Sequence, residues 1–174
     1  MEFVTLLNAP QDGMGVFNFP MSMLKEIDYM VKVEIMEVLP KEGIAITDGG
    51  SQVIMDIILR LSDGSTTAVE MQRLGYLFPG ERTSCYLSDM IMRQYGKIRD
   101  EKGRSFSYKD MKTVNLIVIM EKSSPEFKEV APKYIHKRTV SYDSGAKVKS
   151  LENVIYISLD TFRAGVRKGV MKLV

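Results

Sequence analysis

Three side chains between residues 53 and 72 have types and spacing suited to binding a metal ion and acting on a phosphate ester: Asp56, Glu70 and Gln72. Two carboxylates on neighbouring strands provide oxygen ligands for a hard divalent cation such as Mg²⁺. A metal so held lowers the pKa of bound water and polarises a phosphoryl oxygen. Gln72 does not titrate, so its amide could only position water or phosphate. On spacing alone the set is not specific, because many half-exposed hairpins carry such residues.

Two strands joined by a tight turn must position these residues. The stretch VIMDIILRLSDGSTTAVEMQ places apolar runs on both sides of Ser62-Asp63-Gly64, and Asp-Gly between such runs is a strong hairpin signal. A two-residue turn would direct Asp56 away from Glu70. A three-residue loop, with Gly64 left-handed in a bulge, would place the two acids opposite each other.

The alternation of side chains favours the three-residue loop, since residues two apart on a strand share a face. In that register one hairpin face is nearly all apolar and is expected to be the core: Met55, Ile57, Leu59, Leu61, Thr67, Val69 and Met71. The other face is mixed and is expected to carry the site: Ile54, Asp56, Ile58, Arg60, Thr66, Ala68, Glu70 and Gln72. The two-residue turn would mix the acids into the apolar set, and burying an unpaired carboxylate costs several kcal/mol.

The helix after the hairpin is expected to run from about Gly80 to Ile98. One stripe of this helix is mostly apolar: Leu87, Met90, Ile91, Gln94 and Ile98. We expect this stripe to pack on the apolar hairpin face, against Ile57, Leu59 and Met71.

The rest of the chain predicts an α/β domain with a mixed sheet. Val114 to Met120 is a continuous apolar run, typical of a buried parallel strand reached by a helical crossover. Further elements are expected in six segments: short helices at 23–30 and 107–111, strands at 31–39 and 44–46, and strand-like segments at 134–142 and 154–159. A basic helix is expected at 161–173. Residues 1–30 are otherwise interpreted as an irregular segment, with the domain at 31–174.

The composition is that of an ordinary globular protein of 174 residues, 45% hydrophobic and 26% charged. Such a chain can form one domain whose core needs no disulfide. Cys85 is the only cysteine, which favours a reducing compartment. The run from Val114 to Met120 is too short to span a bilayer, and the segment from Met1 to Pro10 lacks a signal-type core. We therefore expect a cytoplasmic protein without a membrane partner.

The net charge of +2 is unevenly distributed along the chain. Residues 128–174 contain 10 Lys and Arg against 4 Asp and Glu, a net charge of +6, and the preceding residues carry −4. A basic flank beside an acidic site suits a metal-dependent enzyme that acts on a polyanion. A solvated lysine-rich surface is the simpler interpretation of the same charges.

Other reactive side chains form no recognisable constellation. His136 is the only histidine, which excludes His-rich zinc sites, and no nucleophile elbow accompanies it. It is expected to be a surface or core residue on a strand. Cys85 is expected to be a small packing residue in the middle of the helix.

Five segments between about Val38 and Phe162 share their order with a known family: VLPKEG, IMDIILRLSDGSTTAVEMQRLGYLFPGERTSCYLSDMIMRQY, FSYKDMKTVNLIVIMEKSSPEF, YIHK and ISLDTF. Over this length the chain resembles the PD-(D/E)XK nuclease family transposases, also called recombination-promoting nucleases. The resemblance implies a restriction-endonuclease-like mixed β-sheet flanked by helices, with a central β-hairpin followed by a crossover helix. It also implies binding of Mg²⁺ or Mn²⁺ and cleavage of DNA. Residues 1–30 match the family less well and are expected to hold a truncated family helix.

The resemblance assigns roles to five residues. It implies that Asp56 and Glu70 bind the metal and that Gln72, where the superfamily more often has lysine, completes the catalytic set. Glu-x-Gln is common in this family, so the departure does not by itself indicate inactivity. Arg82 and Tyr86 resemble the Arg and Tyr that follow this strand in the family, and are expected beside the site or at a DNA phosphate.

The sequence leaves three functions open. The first is a magnesium-dependent DNA endonuclease related to transposition or recombination. The second is a catalytically inactive relative that binds nucleic acid or protein, and the third is an interaction module with an incidental acidic hairpin. The oligomeric state also stays open, with a homodimer as one option.

Overall fold

The structure is a computed structural model that describes residues 3–8, 15–20, 35–39, 56–75 and 80–168. Within those ranges the chain forms eight strands and three helices. The strands are β1 (Phe3–Asn8), β2 (Gly15–Pro20), β3 (Ile35–Leu39), β4 (Ile57–Leu61), β5 (Thr66–Leu74), β6 (Val114–Lys122), β7 (Ile135–Lys137) and β8 (Glu152–Ser158). The helices are α1 (Gly80–Lys102), α2 (Pro125–Lys128) and α3 (Leu159–Arg167), and short 3₁₀ turns lie at Gly103–Ser105 and Tyr108–Asp110.

Six strands form one mixed sheet in the order β3-β4-β5-β6-β8-β7. The pairs β3-β4, β4-β5 and β7-β8 are antiparallel, whereas β5-β6 and β6-β8 are parallel. Parallel neighbours need a crossover, and α1 lies between β5 and β6 in the chain. With helices alongside, this mixed sheet is the α/β architecture that the sequence predicts.

Strand β6 is the centre of the domain. Every residue from Val114 to Met120 is buried, because a parallel central strand is covered on both faces. The hydrophobic side chains of this strand divide between two clusters, with Val114, Leu116 and Val118 on one face of the sheet and Ile117 and Ile119 on the other. The two faces therefore need separate covering elements.

Helix α1 covers the face that carries the acidic residues, and the prediction that it packs on the opposite face is wrong. Leu87 and Met90 share a buried cluster with Ile58 and Ala68 of the hairpin and with Leu116. Ile58 and Ala68 alternate with the polar residues of the mixed face, and β6 extends their apolar area into a surface wide enough for a helix. The mixed face is thus both core and candidate site.

The opposite face has its own core, which involves α3. Val69, Ile117 and Ile157 pack together with Leu159 at the start of α3. Two of the three residues expected to contact α1, Ile57 and Met71, pack against this second cluster. Alternation alone suggested one covered face, whereas the parallel centre of the sheet requires two.

The remaining predictions differ in extent from the structure. The expected strand at 134–142 is limited to Ile135–Lys137, and the expected helix at 107–111 is a 3₁₀ turn at Tyr108–Asp110. The first 30 residues contain an antiparallel pair, β1 with β2, that the interpretation as irregular did not anticipate. The expected helix at 23–30, the strand at 44–46 and the end of the helix at 161–173 lie outside the described residues.

Candidate active site

The turn between β4 and β5 has the geometry of a three-residue loop with a bulge. Gly64 has a φ of 83°, which glycine adopts without steric cost. The amide of Gly64 donates to the carbonyl of Leu61 over 2.9 Å, and the amide of Leu61 donates to the carbonyl of Ser65 over 2.9 Å. The Asp63 side chain accepts a hydrogen bond from the Ser65 amide at 2.9 Å, as turn-forming aspartates do. Leu61 therefore lies opposite Ser65.

This register sets Asp56 against Glu70. The ladder pairs Ile57 with Val69, and one step further from the turn the two acids face each other. The Asp56 amide donates to Oε1 of Glu70 over 2.8 Å. In return, the Met71 amide donates to Oδ2 of Asp56 over 2.8 Å. Each carboxylate thus accepts a backbone hydrogen bond from the opposite strand.

The two acids differ in exposure. Glu70 is only 1% exposed, whereas Asp56 is half-buried. Burial of a carboxylate is expensive unless hydrogen bonds or a cation compensate it. Two close carboxylates also repel each other when both are ionised. The pair therefore has an electrostatic cost that a bound cation would relieve.

Arg82 and Tyr86 lie on the first turns of α1, over the acidic face of the sheet. The Arg82 guanidinium donates to the Tyr86 hydroxyl from Nη2 at 2.7 Å and from Nε at 3.2 Å. Tyr86 is 5% exposed and belongs to the buried cluster that contains Leu87 and Met90. An i, i+4 spacing on a helix is what brings the two side chains together.

The charges of the two acids affect the pKa of the Tyr86 hydroxyl. Burial raises this pKa above its ordinary value, the Arg82 hydrogen bond opposes the rise, and the negative charges of Glu70 and Asp56 add to it. The phenol is protonated at neutral pH, as tyrosines ordinarily are, and can donate a hydrogen bond. The structure thus brings Tyr86 and Arg82 into the electrostatic environment of the acidic pair.

Gln72 lies two residues beyond Glu70 on β5 and is half-buried. Alternation places it on the same sheet face, about 7 Å further along the strand. It pairs with Met120 of β6, as Glu70 pairs with Val118. Along the hairpin, Gln72 lies further from the turn than Asp56 and Glu70 do.

Sequence reasoning missed the link between α1 and β8. The Thr83 hydroxyl lies 2.6 Å from the Tyr156 hydroxyl, and Thr83 is buried one residue after Arg82. Thr83 lies four residues before Leu87 and continues the stripe that faces the sheet, but helix periodicity does not show that its hydroxyl meets a tyrosine on a distant strand. This contact fixes the N-terminal part of α1 above the sheet.

Cys85 and His136 are the other two reactive side chains that the sequence singled out. Cys85 is exposed, so the expectation that it is a packing residue is wrong. His136 lies on β7 with its ring 4.6 Å from that of Phe127, and Nε2 is 3.4 Å from the Ser158 hydroxyl. Burial, and to a smaller extent the charge of Lys133, lowers the pKa of His136. The histidine is half-buried on an edge strand, as expected for a structural residue.

The acidic pair could supply two of the ligands of a hard cation, with the other coordination positions filled from outside the protein. Across the described ranges, no group of three or more His, Cys, Asp or Glu side chains could hold a metal by itself. Mg²⁺ commonly binds through one or two carboxylates and fills its other positions with water and substrate phosphate. Two carboxylates on one sheet face are compatible with such a site.

Comparison with known proteins places the chain in a family. The family model of the PD-(D/E)XK nuclease family transposase matches residues 19–173. The chain therefore belongs to the PD-(D/E)XK nuclease family transposases. The match begins before residue 31, where the sequence analysis set the domain boundary. No curated protein and no solved structure shows significant similarity to the chain.

The family places the fold among nuclease-related α/β proteins, in agreement with the mixed sheet. None of the described helices is both long enough and apolar enough to cross a bilayer.

Proposed function

We propose that the protein is a metal-dependent DNA endonuclease related to transposition or recombination. The observation that supports this function is the acidic pair beneath Arg82 and Tyr86, in which the Asp56 amide donates to Glu70 and the Met71 amide donates to Asp56 across the hairpin. Family membership supplies the nuclease class. Asp56 and Glu70 would hold Mg²⁺ or Mn²⁺, which supplies an activated water and charge stabilisation at a phosphodiester when bound.

The protein side chains have separable roles in this proposal. Asp56 and Glu70 orient their carboxylates through the two backbone hydrogen bonds, so neither needs to reorganise before binding a cation. Gln72 hydrogen-bonds the attacking water or a phosphate oxygen through its amide. The Tyr86 phenol, which is protonated at neutral pH, donates to a phosphate oxygen. Arg82 supplies a positive charge that attracts the DNA strand.

The C-terminal basic residues provide a further phosphate-binding surface. Lys147 and Lys149 are exposed in the loop before β8. Some other basic residues of this region are partly neutralised, since Lys128 lies 3.7 Å from Asp160 and Arg138 pairs with Glu152. Binding through exposed lysines depends on counterion release and weakens steeply with salt.

Cleavage of supercoiled plasmid with Mg²⁺ or Mn²⁺ tests the endonuclease directly. We expect nicking or linearisation by the wild type and none by Asp56→Asn, which keeps the shape of the side chain and removes its charge. Asp143→Asn is a matched control, because Asp143 is an exposed loop residue that accepts a hydrogen bond from the Ser144 amide. Plasmid cleavage by Asp56→Asn at the wild-type rate would refute the assignment.

Gln72 is the residue that raises one alternative, a catalytically inactive relative that binds DNA, although Glu-x-Gln is common in this family. An amide cannot take the charged role of the lysine that is more common at this position. This alternative predicts salt-sensitive DNA binding without cleavage and without stabilisation by metal. Retention of DNA binding in Asp56→Asn, together with loss of metal-dependent cleavage, would favour the active enzyme instead.

A further inference from the structure

A groove of ≈ 580 Å³ lies between the C-terminal half of α1 and the turn end of the hairpin. Its floor is apolar and includes Leu39, Ile58, Met90 and Ile98. Pockets for small ligands typically have volumes of about 300–1,000 Å³ and mostly apolar linings. The groove is therefore large enough for a nucleotide-sized ligand and too small for a DNA duplex.

The groove is on the same sheet face as the acidic pair. Ile58, in the floor, lies two residues beyond Asp56, and Arg60 lies four residues beyond it. At about 3.3 Å per residue, Arg60 is about 13 Å from Asp56 along β4. A nucleic-acid strand held at the acids could reach the groove within a few nucleotides.

The rim of the groove is positively charged. The described lining contains six Lys and Arg against two acids, Glu101 and Asp110. Arg60, Arg93 and Lys102 have acidic partners, which are Glu37, Asp89 and Asp110. The exposed ammonium groups of Lys97, Lys109 and Lys112 form no ion pair with any residue in the described part of the chain. This rim matches an anionic ligand.

Gln94 lines the groove and has a buried donor with no acceptor among the described residues. Gln94 accepts a hydrogen bond from the Lys112 amide at 2.6 Å, which fixes the orientation of its side-chain amide. Its Nε2 atom is buried without a hydrogen-bond partner among the described residues. Buried polar groups are normally satisfied, so a base carbonyl or a phosphate oxygen in the groove would satisfy this donor once the side chain turns toward it.

Aromatic rings lie beside the rim. Tyr108, adjacent to Lys109, is 76% exposed, and its ring is stacked on that of Tyr95 at 6.2 Å. Phe106 packs edge-on against Tyr108 at 5.4 Å. Exposed aromatic rings next to cationic side chains are the usual platform for unpaired bases.

We propose that this groove binds unpaired nucleotides of a DNA strand that continues from the acidic pair. An unpaired nucleotide combines an apolar base for the floor, hydrogen-bond acceptors for Gln94 and a phosphate for Lys97, Lys109 and Lys112. The inference rests on the proposed DNA endonuclease and specifies its substrate class: DNA with a single-stranded segment next to a duplex.

Fluorescence anisotropy in EDTA at fixed salt tests this substrate class without cleavage. The probes are a blunt duplex and the same duplex with a single-stranded overhang of about eight thymidines, within the usual site size for one strand. We expect the wild type to bind the overhang duplex about tenfold more tightly, since stacking and phosphate contacts with one or two bases are worth that factor. Equal affinity of the wild type for both probes would overturn the proposal.

A groove-filling variant tests whether the preference for the overhang duplex arises in the groove. Ile98→Trp fills the groove without changing charge and should abolish the preference while blunt-duplex affinity stays within about twofold. Met92→Trp is the matched control, because Met92 lies on the same helix, is 54% exposed and does not line the groove. A preference that survives Ile98→Trp in a folded protein would overturn the assignment.

If Ile98→Trp fails to fold, a charge variant tests whether the groove binds the overhang. Lys97→Gln with Lys109→Gln changes only exposed side chains and should also remove the overhang preference. Lys147→Gln with Lys149→Gln removes the same charge elsewhere and should weaken both probes equally. Identical effects of the two lysine pairs would overturn the groove as the binding site. Because EDTA removes cleavage from the measurement, this outcome is distinguishable from failure of the endonuclease itself.

Discussion

The Asp56 amide donates to the Glu70 carboxylate across the hairpin at 2.8 Å, so the more exposed acid is positioned by the more buried one. The Asp56 carboxylate in turn accepts from the amide of Met71, the residue after Glu70. The two side chains are thereby held together although their charges repel. The stability of the folded protein should therefore depend on bound metal and on substitutions that remove either negative charge.

Metal should stabilise the folded protein. In excess Mg²⁺ or Mn²⁺, at about 100 times the dissociation constant, the gain in unfolding free energy is about 2.7 kcal/mol. Asp56→Asn and Glu70→Gln should lose most of this gain, and in EDTA they should be at least as stable as the wild type because the repulsion is gone. Thermal unfolding with and without metal measures both effects. Asp143→Asn should respond to metal like the wild type, and an equal response of Asp56→Asn would contradict the metal site.

Leu87 should be important for stability because it is 1% exposed on the face of α1 that packs on the sheet. Leu87→Ala should reduce the free energy of unfolding by about 2–5 kcal/mol, as expected for a large-to-small core substitution. Met92→Ala on the exposed side of the helix should change it by less than about 0.5 kcal/mol. Denaturant unfolding provides the comparison.

A double-mutant cycle identifies the sheet face that α1 covers. Leu87→Ala and Ile58→Val should be non-additive because both residues belong to one buried cluster. Leu87→Ala and Ile57→Val should be additive, since Ile57 packs in the cluster on the other face. If Leu87→Ala were coupled to Ile57→Val and not to Ile58→Val, α1 would cover the opposite face of the sheet, as the periodicity of the sequence suggests.

Gly75 should not tolerate a side chain. A Cβ atom at this position would lie 2.7 Å from the Met120 sulfur and 2.9 Å from the Ser124 amide nitrogen. Gly75→Ala should therefore destabilise the protein by about 1–3 kcal/mol through overpacking. Gly96→Ala is the control, because a Cβ atom there meets nothing within 4 Å and alanine favours the helix by about 1 kcal/mol. Melting temperatures that move in the same direction for both variants would contradict the close approach at Gly75.

Tyr86 should titrate later than ordinary tyrosines because its pKa is raised by burial and by the negative charges of Glu70 and Asp56. The folded state then holds the phenol proton more tightly than the unfolded state does. This tighter proton binding adds to the free energy of unfolding below the ordinary tyrosine pKa of about 10. The contribution is lost as pH rises through the pKa of Tyr86 in the folded state. Alkaline absorbance titration should show one late phenolate that Tyr86→Phe removes and that Glu70→Gln moves to lower pH. An unchanged late titration in Tyr86→Phe would assign it to another of the 8 tyrosines.

The sequence by itself determined the hairpin register and hence the meeting of the two acids. Turn chemistry at Gly64 and the two-residue period of the strands are local properties, and both act within 15 residues of Asp56. The continuous apolar run of β6 likewise identified a buried parallel strand. Membership of the family follows from motif order over the same segments.

Only the tertiary structure decided which face of the sheet α1 covers. Ile58 and Ala68 form a core surface only when Leu116 and Val118 of β6 lie beside them, and their neighbours in the chain are polar or on the other face. The covered face also depends on strand order and on the hand of the crossover, neither of which periodicity reports. Burial of Tyr86 near Glu70 and the groove beside Gln94 follow from that choice of face, because both are formed between the helix and the sheet.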